Sequence, residues 1–295
     1  WRALCLTEPD RALRGVEAEA RAGRWPEKAW RPFFWERRTP GAPDEGARIA
    51  QILLDCPKEE FGGIAGQACH WLTENYKVLG DDDQWKLWDK ILVATSNEHD
   101  EAGDSGDPLT RALNSAAGRL AEFLLHKLRD EKEKEHLSRD LQERMGHLVA
   151  IPGSFGKLAR VRLAAEVSLL FDLAPDWTAE KLVPLFEWSS PEASAMWSAR
   201  SFSNFIGAPK LIGLMKAPFL ELFGRTDTPP EQLRAYAQWL TTIALANQEH
   251  DAGYLSPMVL KHLLIHRRPS APPLDRLAAA ALVPWAEQPG MAFED

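Results

Sequence analysis

Only three of the 295 residues are cysteine, and only three are tyrosine. Cys5, Cys56 and Cys69 form no CxxC pair, so neither a disulfide framework nor a thiolate zinc site is indicated. Such sparse thiols suggest a reducing compartment, expected to be the cytoplasm, with each one packed as a small core residue. Strand signals are scarce too: there is no convincing alternating run bounded by turn residues. No apolar stretch approaches the roughly 20 residues that a membrane-crossing helix needs; segments such as Leu277 to Trp285 fall well short. No apolar leader is visible at the start. The chain opens on Trp1 rather than Met and is expected to be part of a longer protein.

Catalytic signatures are missing as well. The sequence contains no GxxxxGK[ST] loop, no GxGxxG turn, no GxSxG elbow and no HExxH pair. The formal net charge is −8, which argues against a nucleic-acid partner, because phosphate neutralisation needs a basic face. The densest basic run, Arg129 to Arg144, interleaves its cations with Glu and Asp and reads as a solvated helix face.

What is present is helical. Asp107 can cap a helix whose first residue is Pro108, and Leu109, Leu113, Ala116, Leu120, Phe123, Leu124 and Leu128 follow at steps of three and four. A second stripe, from Ser154 to Leu173, is apolar around most of its circumference and reads as one central helix. Ser189 to Glu192 and Thr228 to Glu231 match capping boxes, and Thr178 with Trp177 and Leu182 has the spacing of a hydrophobic staple. Further helices are expected near 8–22, 26–37, 43–55, 57–78, 82–95, 134–149, 209–223, 257–266 and 274–287. About fourteen helices with short connections result. The expected fold class is therefore all-α, an α-solenoid or HEAT-like helical repeat array, with a compact multi-helix bundle as the alternative. No fixed repeat period is visible. The polar run NEHDEAGDSGD divides an N-terminal helical sub-block, 1–96, from a C-terminal one, 108–295, as an acidic loop at 97–107.

Four constellations invite a chemical reading, and each has a plainer one. Cys69 beside His70 resembles a nucleophile pair, but helix neighbours point about 100° apart, which favours a core thiol. Asp100, Glu101, Asp104 and Asp107 could gather around Ca²⁺, yet they lack the alternating EF-hand pattern. His262 and His266 stand at i,i+4 as a two-His metal site requires, but no third ligand is nearby and Arg267 and Arg268 follow. His250 with Asp251 could orient a general base, with no nucleophile to complete it. No catalytic, cofactor or metal residue is assigned. The twelve tryptophans, several at helix ends such as Trp71, Trp85, Trp88, Trp177 and Trp188, read as wedges between stacked helices. An interaction surface is expected at Trp197, Arg200 and Phe202, because Trp and Arg are enriched at binding hot spots.

Several of these segments also look familiar. They are Ala112 to Leu125 (ALNSAAGRLAEFLL), Ala159 to Phe171 (ARVRLAAEVSLLF), Asp176 to Trp188 (DWTAEKLVPLFEW), Pro191 to Trp197 and Lys216 to Phe223, with Asp82 to Leu92 upstream. Together they resemble the C-terminal helical region attached to sirtuin-like proteins of bacterial anti-phage defence. The resemblance implies that this chain senses, regulates or assembles, while an upstream sirtuin-like domain degrades NAD. It carries no catalytic residue onto these positions. The expected function is thus a non-catalytic regulatory or interaction region with a protein partner or self-association. The alternatives are a scaffold module of an unrelated system and an enzyme with an unrecognised helical active site.

Overall fold

A computed structural model describes residues 1–36, 43–96, 106–131, 138–203 and 205–250. The fold is all-α. The described residues form fifteen α-helices and two short 3-10 turns, Tyr76–Val78 and Val183–Phe186. They divide into two compact units, one up to Leu163 and the other from Ala164 onward. This differs from the division expected at 97–107. Helices on the two sides of that run pack directly: Trp88 Nε1 donates to the Leu120 carbonyl at 3.2 Å, and Thr73 Oγ1 to the Arg119 carbonyl at 3.3 Å. Of the acidic run, Asp100, Glu101 and Asp104 lie outside the described residues, as do His262 and His266, Asp251 and the helices expected at 257–266 and 274–287.

The first unit holds α1 (Arg2–Thr7), α2 (Pro9–Arg21), α3 (Glu27–Glu36), α4 (Pro43–Asp55), α5 (Lys58–Asn75), α6 (Asp81–Thr95), α7 (Pro108–Leu113), α8 (Ala116–Asp130), α9 (Arg139–Ala150) and nearly all of α10 (Gly153–Ala165). α5 is its hub, packed against α3, α6 and α8. Its buried face, Phe61, Ile64, Ala65, Ala68, Cys69 and Leu72, recurs at three and four. An aromatic cluster of Trp25, Trp30, Phe33 and Phe34 fills the space on the α3 side, with Phe34 reaching Trp71 at 6.1 Å between ring centres. Lys90 closes the end of α4, donating to the carbonyls of Leu54 (2.7 Å) and Cys56 (2.5 Å).

The long stripe after Asp107 is two helices, not one. Asp107 does cap α7, accepting from Thr110 N at 2.7 Å, with Pro108 in the first turn. The chain then breaks at Asn114 and Ser115. Asn114 Nδ2 donates to the Thr110 carbonyl, and the Ser115 hydroxyl accepts from Gly118 N at 3.0 Å, starting α8 afresh. Both side chains offer the backbone an alternative to continuing the helix. The turn brings α7 back so tightly that a Cβ on Gly118 would overlap the Ala112 carbonyl. Likewise the stripe expected from Ser154 to Leu173 breaks at Glu166, whose φ of −109° and ψ of 19° are not helical.

Glu122 on α8 sits among basic side chains. Arg162 directs Nε and Nη2 to its Oε2, and His126 Nε2 lies 3.0 Å from Oε1. Burial pushes this carboxyl up, but His126 and Arg162 together hold it at about 2, below its ordinary 4.5. The folded form is then the weaker proton binder. Its contribution is complete above about pH 4.5 and is lost as the pH falls toward 2. Glu122→Gln is therefore expected to reduce the parent's loss of urea resistance between pH 6 and pH 3 by about 1–2 kcal/mol. An unchanged acid slope would show that Glu122 is not the group responsible.

Arg139 pairs with Glu143, and Arg144 with Asp140 and Asp89, so the described part of the basic run is a charge-paired helix face, as its pattern suggests. No helix among the described residues is long and apolar enough to cross a membrane.

Candidate functional site

The second unit contains α11 (Val167–Leu173), α12 (Pro175–Lys181), α13 (Ala193–Arg200), α14 (Pro209–Leu222) and α15 (Pro230–His250). The caps expected here are different in fact. Thr178 lies inside α12 and is fully buried. Ser190, not Ser189, approaches the start of α13, its Oγ accepting from Glu192 N at 3.3 Å. The Thr228 hydroxyl turns back to the Leu222 carbonyl at 3.4 Å, closing the end of α14.

α13 is short, and its sequence ASAMWSAR leaves few polar positions. Every residue it contributes except Ser194 is buried. Trp197 is 2% exposed, ringed by Phe186, Trp188, Phe219 and Tyr236 at centroid distances of 5.1 to 6.4 Å. Its Nε1 donates to the Phe186 carbonyl at 2.9 Å, and Tyr236 donates its hydroxyl to the Trp197 carbonyl at 2.5 Å. Trp197 is thus the centre of a packed core, which corrects its expected place on a surface.

Arg200 needs the same correction, and it is the more informative one. It is 1% exposed. Its Nη2 donates to Ser168 Oγ (2.5 Å) and to the carbonyls of Phe205 (2.8 Å) and Ile206 (2.7 Å). The guanidinium lies 4.5 Å over the Trp239 ring. No carboxylate forms an ion pair with it among the described residues, and burial pushes it down to about 10. It remains charged at neutral pH, and its charge is spread over oxygens and a π face. Ser168 reaches the same two carbonyls at 3.4 and 3.3 Å. Gly207, at φ +100°, completes the knot, since a Cβ there would meet Ser168 Oγ at 2.5 Å.

These bonds tie Phe205 and Ile206 down ahead of α14, and the described residues between α13 and α14 present two aromatic rings. Phe202 is 61% exposed and Phe205 58% exposed. Of the three expected interaction residues, Phe202 alone is on the surface. Phe205 was missed: in the sequence it is one more apolar residue before a Gly-Ala-Pro helix start. The site as built is two exposed aromatic rings, with the backbone at Phe205 pinned by a buried cation.

The other candidate chemistries resolve as follows. Cys69 Sγ lies 3.6 Å from the Ala116 carbonyl, and burial pushes the thiol up to about 12, so it stays protonated and is no nucleophile. Cys56 is pushed up to about 11 by burial, and Cys5 is buried and in no disulfide. Among the described residues no group of three or more His, Cys, Asp or Glu is placed to hold a metal ion.

Fold and site together define an all-α chain of two helical units with an exposed aromatic segment. No family model, no curated protein and no solved structure matches it.

Proposed function

We propose that this chain is a non-catalytic interaction and regulatory region of a larger bacterial protein, and that it acts through the segment bearing Phe202 and Phe205. The observation that carries the reading is the pairing of two majority-exposed phenylalanines with a buried arginine that ties down the carbonyls of Phe205 and Ile206. Exposed aromatic rings on a fixed backbone bind with little ordering cost, and aromatic side chains dominate binding hot spots. The fitting partner is a protein with an apolar pocket. The resemblance of segments 112–125, 159–171 and 176–188 to the helical region of sirtuin-like defence proteins supplies the context: an NAD-degrading domain that this region restrains or assembles. In that reading the helices stack as a HEAT-like array and the protein works in the cytoplasm.

In the full-length protein, Phe202→Ser with Phe205→Ser is expected to change the assembly state or the rate of NAD loss by about tenfold. Unfolding of the chain should shift by no more than about 0.5 kcal/mol. NAD loss should persist when residues 1–295 are deleted. A reading frame without a sirtuin-like domain before the Trp1 codon, or NAD loss and assembly indifferent to the double substitution, overturns the proposal.

A further inference from the structure

A cleft of about 470 Å³ opens in the first unit, well away in sequence from the aromatic segment. Three separate stretches build it: the end of α3, the middle of α5 and the turn between α7 and α8. Its volume is in the range of small-molecule sites, roughly 300–1,000 Å³. Its lining is asymmetric. One wall is aromatic, from Phe34 and the half-exposed Trp35. Elsewhere the lining includes Arg31 and Arg119, and among the described residues no carboxylate lines the space.

Both arginines have donors to spare. Arg31 makes no hydrogen bond or ion pair among the described residues. Among the described residues Arg119 has one acidic neighbour, Glu74, at 3.5 Å, and both side chains are partly exposed. A contact that long and that wet holds little of the guanidinium's capacity. Gln67 adds an amide. The N-terminal end of α8 also borders the cleft through Ser115 and Ala116, and the Ser115 hydroxyl accepts from the Gly118 amide. Two cations, a helix N-terminus and an aromatic wall around one open cleft are complementary to a negative group carried on a flat apolar body.

We infer that this cleft binds a small organic anion, with its phosphate or carboxylate held by Arg31 and Arg119 and its apolar part against Trp35. The inference is independent of the aromatic segment in the second unit. Isothermal titration of the 295-residue chain tests it with four probes: phenyl phosphate, benzoate, inorganic phosphate and benzyl alcohol. Saturable binding is expected for phenyl phosphate or benzoate, and whichever is tighter names the anionic group. Arg31→Gln and Arg119→Gln should each weaken that binding at least about tenfold. Arg31 is exposed, so its variant should keep the parent's unfolding midpoint and report on binding alone. No saturation by either aromatic anion below about 10 mM overturns the inference. So does equal binding of benzyl alcohol, or affinity indifferent to both substitutions.

Discussion

Arg200→Ala is expected to destabilise the second unit by about 3–5 kcal/mol, the range for removing one partner from a buried charged network. The substitution deletes three hydrogen bonds at once and leaves the carbonyls of Phe205 and Ile206 only long serine contacts of 3.3 to 3.4 Å. It also removes the group stacked on Trp239. A midpoint about 10 °C lower should be seen in thermal unfolding. Exchange of the amides in 201–208 should accelerate before the rest of the unit opens. The charge itself is not what stabilises: burial already disfavours it, as the downward shift to about 10 shows. Arg200→Met should accordingly lose less than Arg200→Ala, since it refills the volume over Trp239. It should still release the segment, because methionine donates to neither carbonyl. An Arg200→Ala chain as stable as the parent would show that the side chain is not buried in solution.

Gly118→Ala is the second large effect, about 3 kcal/mol or more of lost stability. Ordinarily Gly to Ala inside a helix stabilises by about 0.5–1 kcal/mol. At Gly213, in α14, nothing lies within 4 Å of an added Cβ, and Gly213→Ala should gain that amount. At Gly118 the same Cβ overlaps the backbone carbonyl of Ala112, with the carbonyl carbon 2.5 Å away, and backbone cannot rotate aside as a side chain would. Relief requires α7 and α8 to separate. That would pull Ala116 and Arg119 from their contacts with Cys69 and Thr73 on α5. Urea midpoints of the two variants should move in opposite directions; a common direction would refute the tight turn.

The sequence carried the helices well and their interruptions poorly. Residues 43–55 and 82–95 were readable because their apolar positions recur at helical spacing and their ends carry Pro or Asp. The breaks at Asn114 and Glu166 were not, because the apolar stripe runs through both without losing phase. What ends each helix there is a local hydrogen bond or a single dihedral, to which periodicity is blind. The capping boxes at Ser189 and Thr228 had the right spacing, but spacing does not say which way a hydroxyl turns. Trp197 and Arg200 looked like binding residues because composition cannot tell a buried hot-spot residue type from an exposed one. The anion cleft was invisible for a different reason: Arg31, Gln67 and Arg119 lie on three stretches that only the tertiary fold brings together.

The three buried thiols have a practical consequence. Cys69, held protonated to about pH 12, and Cys56, to about pH 11, should react very slowly with maleimides near neutrality, and Cys5 is only 2% exposed. The native surface is thus chemically silent to thiol reagents. A single cysteine introduced at Phe202 would be the one fast-labelling position on the folded chain. A fluorophore or crosslinker could be attached beside the exposed Phe205 with every natural cysteine left in place.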